Sequence, residues 1–148
     1  MRRMMMAAVG AALLGLVACD SKTSNEAAAP AAPKSMARMA QMYAGQEQIT
    51  KVDSATVAVD KDGLTMEATG AAAAPGYTNA GFLPRINAAP PKDGIYEVDV
   101  VADKPANAVP AATPIDVKGA WSGYPADHLK GVKFITKTNS VVTMLPAK

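Results

Sequence analysis

Cysteine, histidine and aromatic residues are all scarce in this chain: one Cys, one His, one Trp, two Phe and four Tyr in 148 residues. A single cysteine excludes an intramolecular disulfide, so cysteine pairing gives no sign of an oxidising compartment. A single histidine, His128, falls short of the three or four His, Cys, Asp or Glu ligands that zinc takes. Aromatics make up 5% of the residues, and alanine supplies much of the 49% hydrophobic share, so the core must be modest. Excess charge is missing as well. The formal charge of +2 comes from Arg2 and Arg3, and from Cys19 onward thirteen basic residues balance thirteen acidic ones. A neutral body without a basic run cannot build the phosphate-neutralising surface that nucleic-acid binding needs. No phosphate-cradling glycine loop is present; the glycines sit at turn positions.

What is present begins with an address. "MRRMMM" (1–6) carries two arginines and no acid, and "AAVGAALLGLV" (7–17) is an uncharged run of eleven residues. A membrane-spanning helix needs about 20 apolar residues; eleven suit the apolar region of a secretory signal peptide. An ordinary cut before Cys19 would want small residues at −1 and −3. Ala18 qualifies and Leu16 does not. The run Leu16-Val17-Ala18-Cys19 resembles instead the lipobox of bacterial lipoproteins. The resemblance implies removal of residues 1–18 by cleavage between Ala18 and Cys19. It also implies a diacylglyceryl group on the Cys19 thiol and an acyl chain on the new amino group. Two or three buried chains, at about 0.8 kcal/mol per CH₂, would hold the protein to the bilayer. The implied location is a bacterial cell envelope, facing the periplasm. Asp20, directly after the cysteine, resembles the signal that retains lipoproteins in the inner membrane of enterobacteria. The bland alternative is that Cys19 is a small apolar residue near a helix end.

Residues 19–35 contain no aliphatic side chain larger than alanine. They cannot bury enough apolar area to offset ordering entropy, so a flexible tether is expected. Residues 20–35 would span about 22 Å as a random coil and roughly 50 Å as polyproline II. Residues 36–48, "MARMAQMYAGQEQ", place Met36, Met39 and Met42 at helical spacing. A short amphipathic helix packing its Met stripe on the domain or the lipid is one reading. The sharper one stacks three thioethers on one face as a soft-metal site for Cu(I); a third leaves the segment disordered.

From Ile49 the period turns toward two. Strands are expected at 54–60, 64–70, 78–86, 94–102, 115–121, 131–137 and 140–145. Lys61-Asp62-Gly63 would form a hairpin turn, and the Pro-rich 103–114 a surface loop. No amphipathic helical pattern of a dozen residues follows Gln48, and parallel strands need crossover connections, usually helices. The expectation for 49–148 is therefore an all-β domain, a small antiparallel sandwich or barrel of six or seven strands. Within it, "PGYTNAGFLP", "DGIYEVDVVADKP" and "GVKFITKTNS" resemble segments of small uncharacterised proteobacterial envelope proteins. That resemblance implies a β-rich envelope domain and no particular activity.

Candidate chemistry is sparse. His128 sits beside Asp127 in a loop, where adjacent residues rarely orient one another as a catalytic dyad. Glu97 and Asp99 alternate on one strand and read as a solvated outer face, with acid–base or Ca²⁺ chemistry as the sharper reading. Trp121 and Tyr124 flank a Ser-Gly turn. They could form a recognition surface for a glycan or an envelope protein, or they could close the core. No cofactor beyond the covalent lipid is expected. The expected role is non-catalytic binding at a membrane, with a periplasmic Cu(I) carrier as the alternative.

Overall fold

The structure, a computed structural model, describes residues 37–146. The expected signal peptide, the Cys19 lipidation site, the tether and Met36 lie outside the described residues. Eight strands follow in order: β1 (Gln46–Gln48), β2 (Lys51–Asp60), β3 (Gly63–Ala72), β4 (Thr78–Pro84), β5 (Ile95–Asp103), β6 (Thr113–Trp121), β7 (Gly131–Ile135) and β8 (Ser140–Met144). They form a five-stranded sheet of β1, β4, β5, β7 and β8, packed on a three-stranded sheet ordered β2-β3-β6. The expected all-β sandwich is what the chain adopts.

The three-stranded sheet is antiparallel throughout. It starts from the β2–β3 hairpin, in which Asp60 pairs Gly63 across Lys61-Asp62. Alternation sends Leu64, Met66 and Ala68 of β3 inward with Val117 of β6, and leaves Glu67, Thr69, Asp116 and Lys118 outside. A bulge in β2 lies between Val52 and Ser54. It faces Gly70, where a Cβ would come within 2.1 Å of the Lys51 carbonyl oxygen. Only glycine lets the two backbones approach this closely.

The five-stranded sheet corrects one expectation. β5 and β7 run parallel, from Ile95 opposite Gly131 to Asp99 opposite Ile135. No helix carries the chain between them. It crosses to the other sheet, forms β6 there, and returns, so a strand does the work usually given to a helix. β4 pairs β5 along one edge, while β1 and β7 share the other edge end to end, at Val101–Asp103 and Ile95–Asp99 respectively. Pro84 closes β4 at a position where its missing N–H faces away from β5. The next N–H, of Arg85, bonds the Glu97 carbonyl at 2.9 Å.

Residues 37–48 correct a second expectation: they hold no helix. Arg38 exchanges both backbone bonds with Ile86 on the outer side of β4 (2.9 and 2.8 Å), and the Gly45 carbonyl accepts from Lys104 beyond the end of β5 (2.9 Å). Residues 38–45 thus run as an extended strap from one edge of the sheet to the other, with Ala40 and Met42 partly buried and Gln41 and Tyr43 exposed.

Between the sheets lie Ile49, Val52, Leu64, Met66, Val98, Val100, Val117, Val132 and Phe134, all at 0–1% exposure. The ring of Phe82 meets Phe134 edge-on, with centroids 5.5 Å apart. Side chains tie the sheets along the β2–β8 side. Asn139, in the β7–β8 turn, accepts from the Val52 N–H (2.9 Å) and donates to the Val52 carbonyl (2.7 Å). The Thr143 hydroxyl donates to the Ala55 carbonyl at 2.9 Å.

Candidate functional site

The densest polar constellation is on the outer face of the five-stranded sheet. It is built on the two acids that read as solvated, and their placement is a third correction. Glu97 is 9% exposed and Asp99 is fully buried. Alternation does point them away from Val98 and Val100, but that outer face is covered. Leu83 and Ile135 flank Asp99 across the ladders, and the side chains of Gln48, Arg85 and Lys133 bond to the two acids. Burying two carboxylates is costly unless each is paired and hydrogen-bonded.

Arg85 supplies the pairing. It extends β4 by one residue beyond Pro84, in the register that aims its side chain at the same face. Its Nε and Nη2 donate to Asp99 Oδ2 (3.0 Å) and Oδ1 (2.9 Å), a bidentate fork, and Nη1 reaches Glu97 Oε2 at 3.3 Å. Lys133, opposite Glu97 in the parallel ladder, donates to Glu97 Oε1 at 3.3 Å. Gln48 of β1 donates to Asp99 Oδ1 at 2.5 Å. Two carboxylates thus meet one guanidinium and one ammonium, a neutral set drawn from β1, β4, β5 and β7. The Asp99 hydrogen bonds are the main reason that the Arg85 guanidinium holds its proton even more firmly than usual; burial works in the opposite direction. Among the described residues, every buried side-chain nitrogen and oxygen has a hydrogen-bond partner.

A second, more open group lies around β1. Glu47 accepts from the Tyr77 hydroxyl and pairs with Lys137 at 2.8 Å. The Lys137 hydrogen bond, then that of Tyr77, pulls the Glu47 carboxyl below its ordinary value. Burial, then Glu47, pushes the Tyr77 phenol up to about 12. Both groups bind structure to structure. Both oxygens of Asp99 accept from Arg85, and Gln48 adds a third bond, the geometry of a brace.

The other candidates lie apart from this constellation. Trp121 ends β6 and is partly buried, its ring edge-on to Tyr96 with centroids 6.1 Å apart. Tyr124 is partly buried at the same end of the sandwich. There it lines a shallow cleft of about 350 Å³ with Val59, Leu129, Lys130, Met144 and Leu145 among others. Both aromatics pack against the core, and only Tyr124 reaches the cleft. His128 is exposed in the loop after β6. Met39 and Met42 belong to the extended strap, where a spacing of three residues does not stack side chains on one face; Met39 is 46% exposed. Among the described residues no three His, Cys, Asp or Glu side chains converge on a metal-sized site.

Sequence reasoning missed the brace itself. The available signal was Arg85, a guanidinium inside the otherwise apolar run "FLPRI", together with two acids spaced i, i+2 in the most hydrophobic strand. The chain matches no family model, no curated protein and no solved structure.

Proposed function

We propose that the chain is a lipoprotein of a bacterial cell envelope, in which lipid on Cys19 holds a braced β-sandwich at a membrane and the sandwich acts by binding another envelope component. The observation that carries this reading is the Leu16-Val17-Ala18-Cys19 run after an eleven-residue apolar stretch and two arginines. Residues 20–35, with no aliphatic side chain larger than alanine, suit a linker between the anchor and the sandwich. The most deeply buried charges bond to one another, as a brace does. A rigid sandwich with loops at both ends suits presentation of a binding surface.

Replacement of Cys19 by Ser tests the anchor. The wild-type chain is expected in the membrane fraction, cleaved before residue 19 and heavier than its polypeptide by the mass of the lipid. The variant is expected to lose the added mass and leave the membrane fraction. Lipid modification of the Cys19→Ser chain, or an unmodified wild-type cysteine, overturns the reading. Cross-linking in cells followed by mass spectrometry then identifies the bound component.

A further inference from the structure

We propose that the turn Lys61-Asp62-Gly63 is a site of isoaspartate formation in the folded chain, and that the fold protects Lys92-Asp93-Gly94, the same tripeptide, from the same change. Gly63 opens β3, and Gly94 directly precedes β5. Asp-Gly is the pair in which this rearrangement is easiest, because glycine has no side chain to shield its nitrogen from the preceding carboxyl group. The sequence gives the two tripeptides equal standing. Their surroundings do not.

The step needs only the chain and water. With the Asp62 carboxyl group protonated, the Gly63 nitrogen attacks Cγ and gives up its proton. An N–Cγ bond forms, the Cγ–OH bond breaks and one water leaves, which closes a five-membered succinimide ring. Water then adds back at either ring carbonyl. Opening at the Asp62 main-chain carbonyl leaves the chain running through the side-chain carbons. The main chain gains one methylene, and nothing is oxidised or reduced.

The Asp62 side chain is exposed and has no hydrogen bond or ion pair among the described residues, so its carboxyl group is free to swing over the Gly63 nitrogen. The turn is the tip of a hairpin, where opening is local and costs little. At the second tripeptide each reacting group is held. Asp93 Oδ1 accepts from the Ile95 N–H at 3.0 Å, and the Gly94 N–H donates to the Pro91 carbonyl at 3.0 Å. The Gly94 carbonyl accepts from the Lys130 N–H at 2.8 Å. Gly94 is buried, with the His128 carbonyl oxygen 2.8 Å from where a Cβ would stand, which leaves little room for the water that opens the ring. Ring closure there must break two hydrogen bonds and move backbone tied to the loop before β7. Asn139-Ser140, another pair prone to this ring, is fixed likewise. The Asn139 amide bonds the Val52 N–H (2.9 Å), the Val52 carbonyl (2.7 Å) and the Thr136 hydroxyl (2.8 Å). The exposed hairpin is thus the point where the sandwich ages chemically. An added methylene there lengthens the connection between Asp60 and Gly63, beside the fully buried Leu64, and loop length selects the turn that sets strand pairing.

The test incubates the full folded chain in water enriched in heavy oxygen. Chymotrypsin, which spares Lys61 and Lys92, then digests it in ordinary water, and mass spectrometry with electron-based fragmentation maps the peptides. The peptide holding Asp62 is expected to divide into two chromatographic peaks, the new one carrying one heavy oxygen and the backbone fragments of isoaspartate. The peptide holding Asp93 is expected to stay a single unlabelled peak. In urea, where the bonds to Ile95 and Pro91 are gone, the Asp93 peptide should react as readily as that of Asp62, which assigns its protection to the fold. Asp62→Glu keeps the charge and should lose the labelled peak, because the six-membered ring closes far more slowly. Labelling at Asp93 as fast as at Asp62 in the folded chain overturns the proposal. So does a folded chain unlabelled at Asp62, an Asp93 peptide inert in urea, or an undiminished labelled peak in the Asp62→Glu chain.

Discussion

β3 and β5 carry the same alternating pattern, yet their outward-facing acids have opposite fates. In "GLTMEATGAA", Glu67 faces solvent and meets Lys118 across the ladder at 2.9 Å, with both side chains at least half exposed. In "IYEVDVVAD", Glu97 and Asp99 face the equivalent direction and are buried, with Arg85 forked onto Asp99 and reaching Glu97. A strand's pattern states which residues share a face. Whether that face meets water is decided by distant parts of the chain, here Gln48, Arg85 and Lys133. The screened pair contributes little to stability; for the buried set, the loss of one partner strands another charge.

This contrast orders the expected effects of substitution. Asp99→Ala should be the most damaging, about 3–5 kcal/mol by chemical denaturation, because it leaves the Arg85 guanidinium buried without its fork. A loss no larger than that of an exposed pair would erase the distinction between the two strands. Gly70→Ala, on the other strand, should cost about 1–3 kcal/mol through backbone crowding against Lys51. Its effect would show that β3 is limited by space where β5 is limited by charge.

Tyr77→Phe should cost about 1 kcal/mol, the value of a hydrogen bond to a partly exposed carboxylate. It also has a pH signature. The phenol holds its proton more tightly in the folded chain, up to about 12 against an ordinary 10. Its contribution is therefore complete below pH 10 and is lost as pH rises toward 12. The stability gap between wild type and variant should narrow over that range. On the acid side Glu47 is shifted down, chiefly by Lys137 and next by Tyr77. Its contribution is present above its ordinary value and is lost as pH falls through the lowered one, and the variant should lose less there. Glu67→Gln, the smallest change, should leave the denaturation midpoint where it is, at low and at high salt.

Alternation and turn chemistry made most of the fold legible. Seven strands fall where period-two patterning puts them, and Lys61-Asp62-Gly63 turns the hairpin as expected. Three features escaped for physical reasons. Methionines at helical spacing in 36–48 favour a helix locally, but two backbone bonds to Ile86 and one to Lys104 hold the segment extended. The parallel β5–β7 pair could not be read because a strand of the second sheet replaces the crossover helix. The acids of β5 looked solvated because their neutralising partner Arg85 lies twelve residues before Glu97 and fourteen before Asp99, past two prolines and a turn. Of the candidate site residues, Trp121 and Tyr124 were legible as neighbours at one turn; the brace was not.

β6 has a further consequence, for the route by which the chain folds. Its neighbours in sequence, β5 and β7, both belong to the other sheet. The hairpins β2–β3 and β7–β8 can zip locally, but β5 and β7 can meet only after the chain between them has doubled back through the second sheet. Long-range closures of this kind slow folding. They also couple the sheets, since neither can be assembled or peeled away by itself. Amide protons in the central strands of both sheets should therefore exchange through one shared global opening.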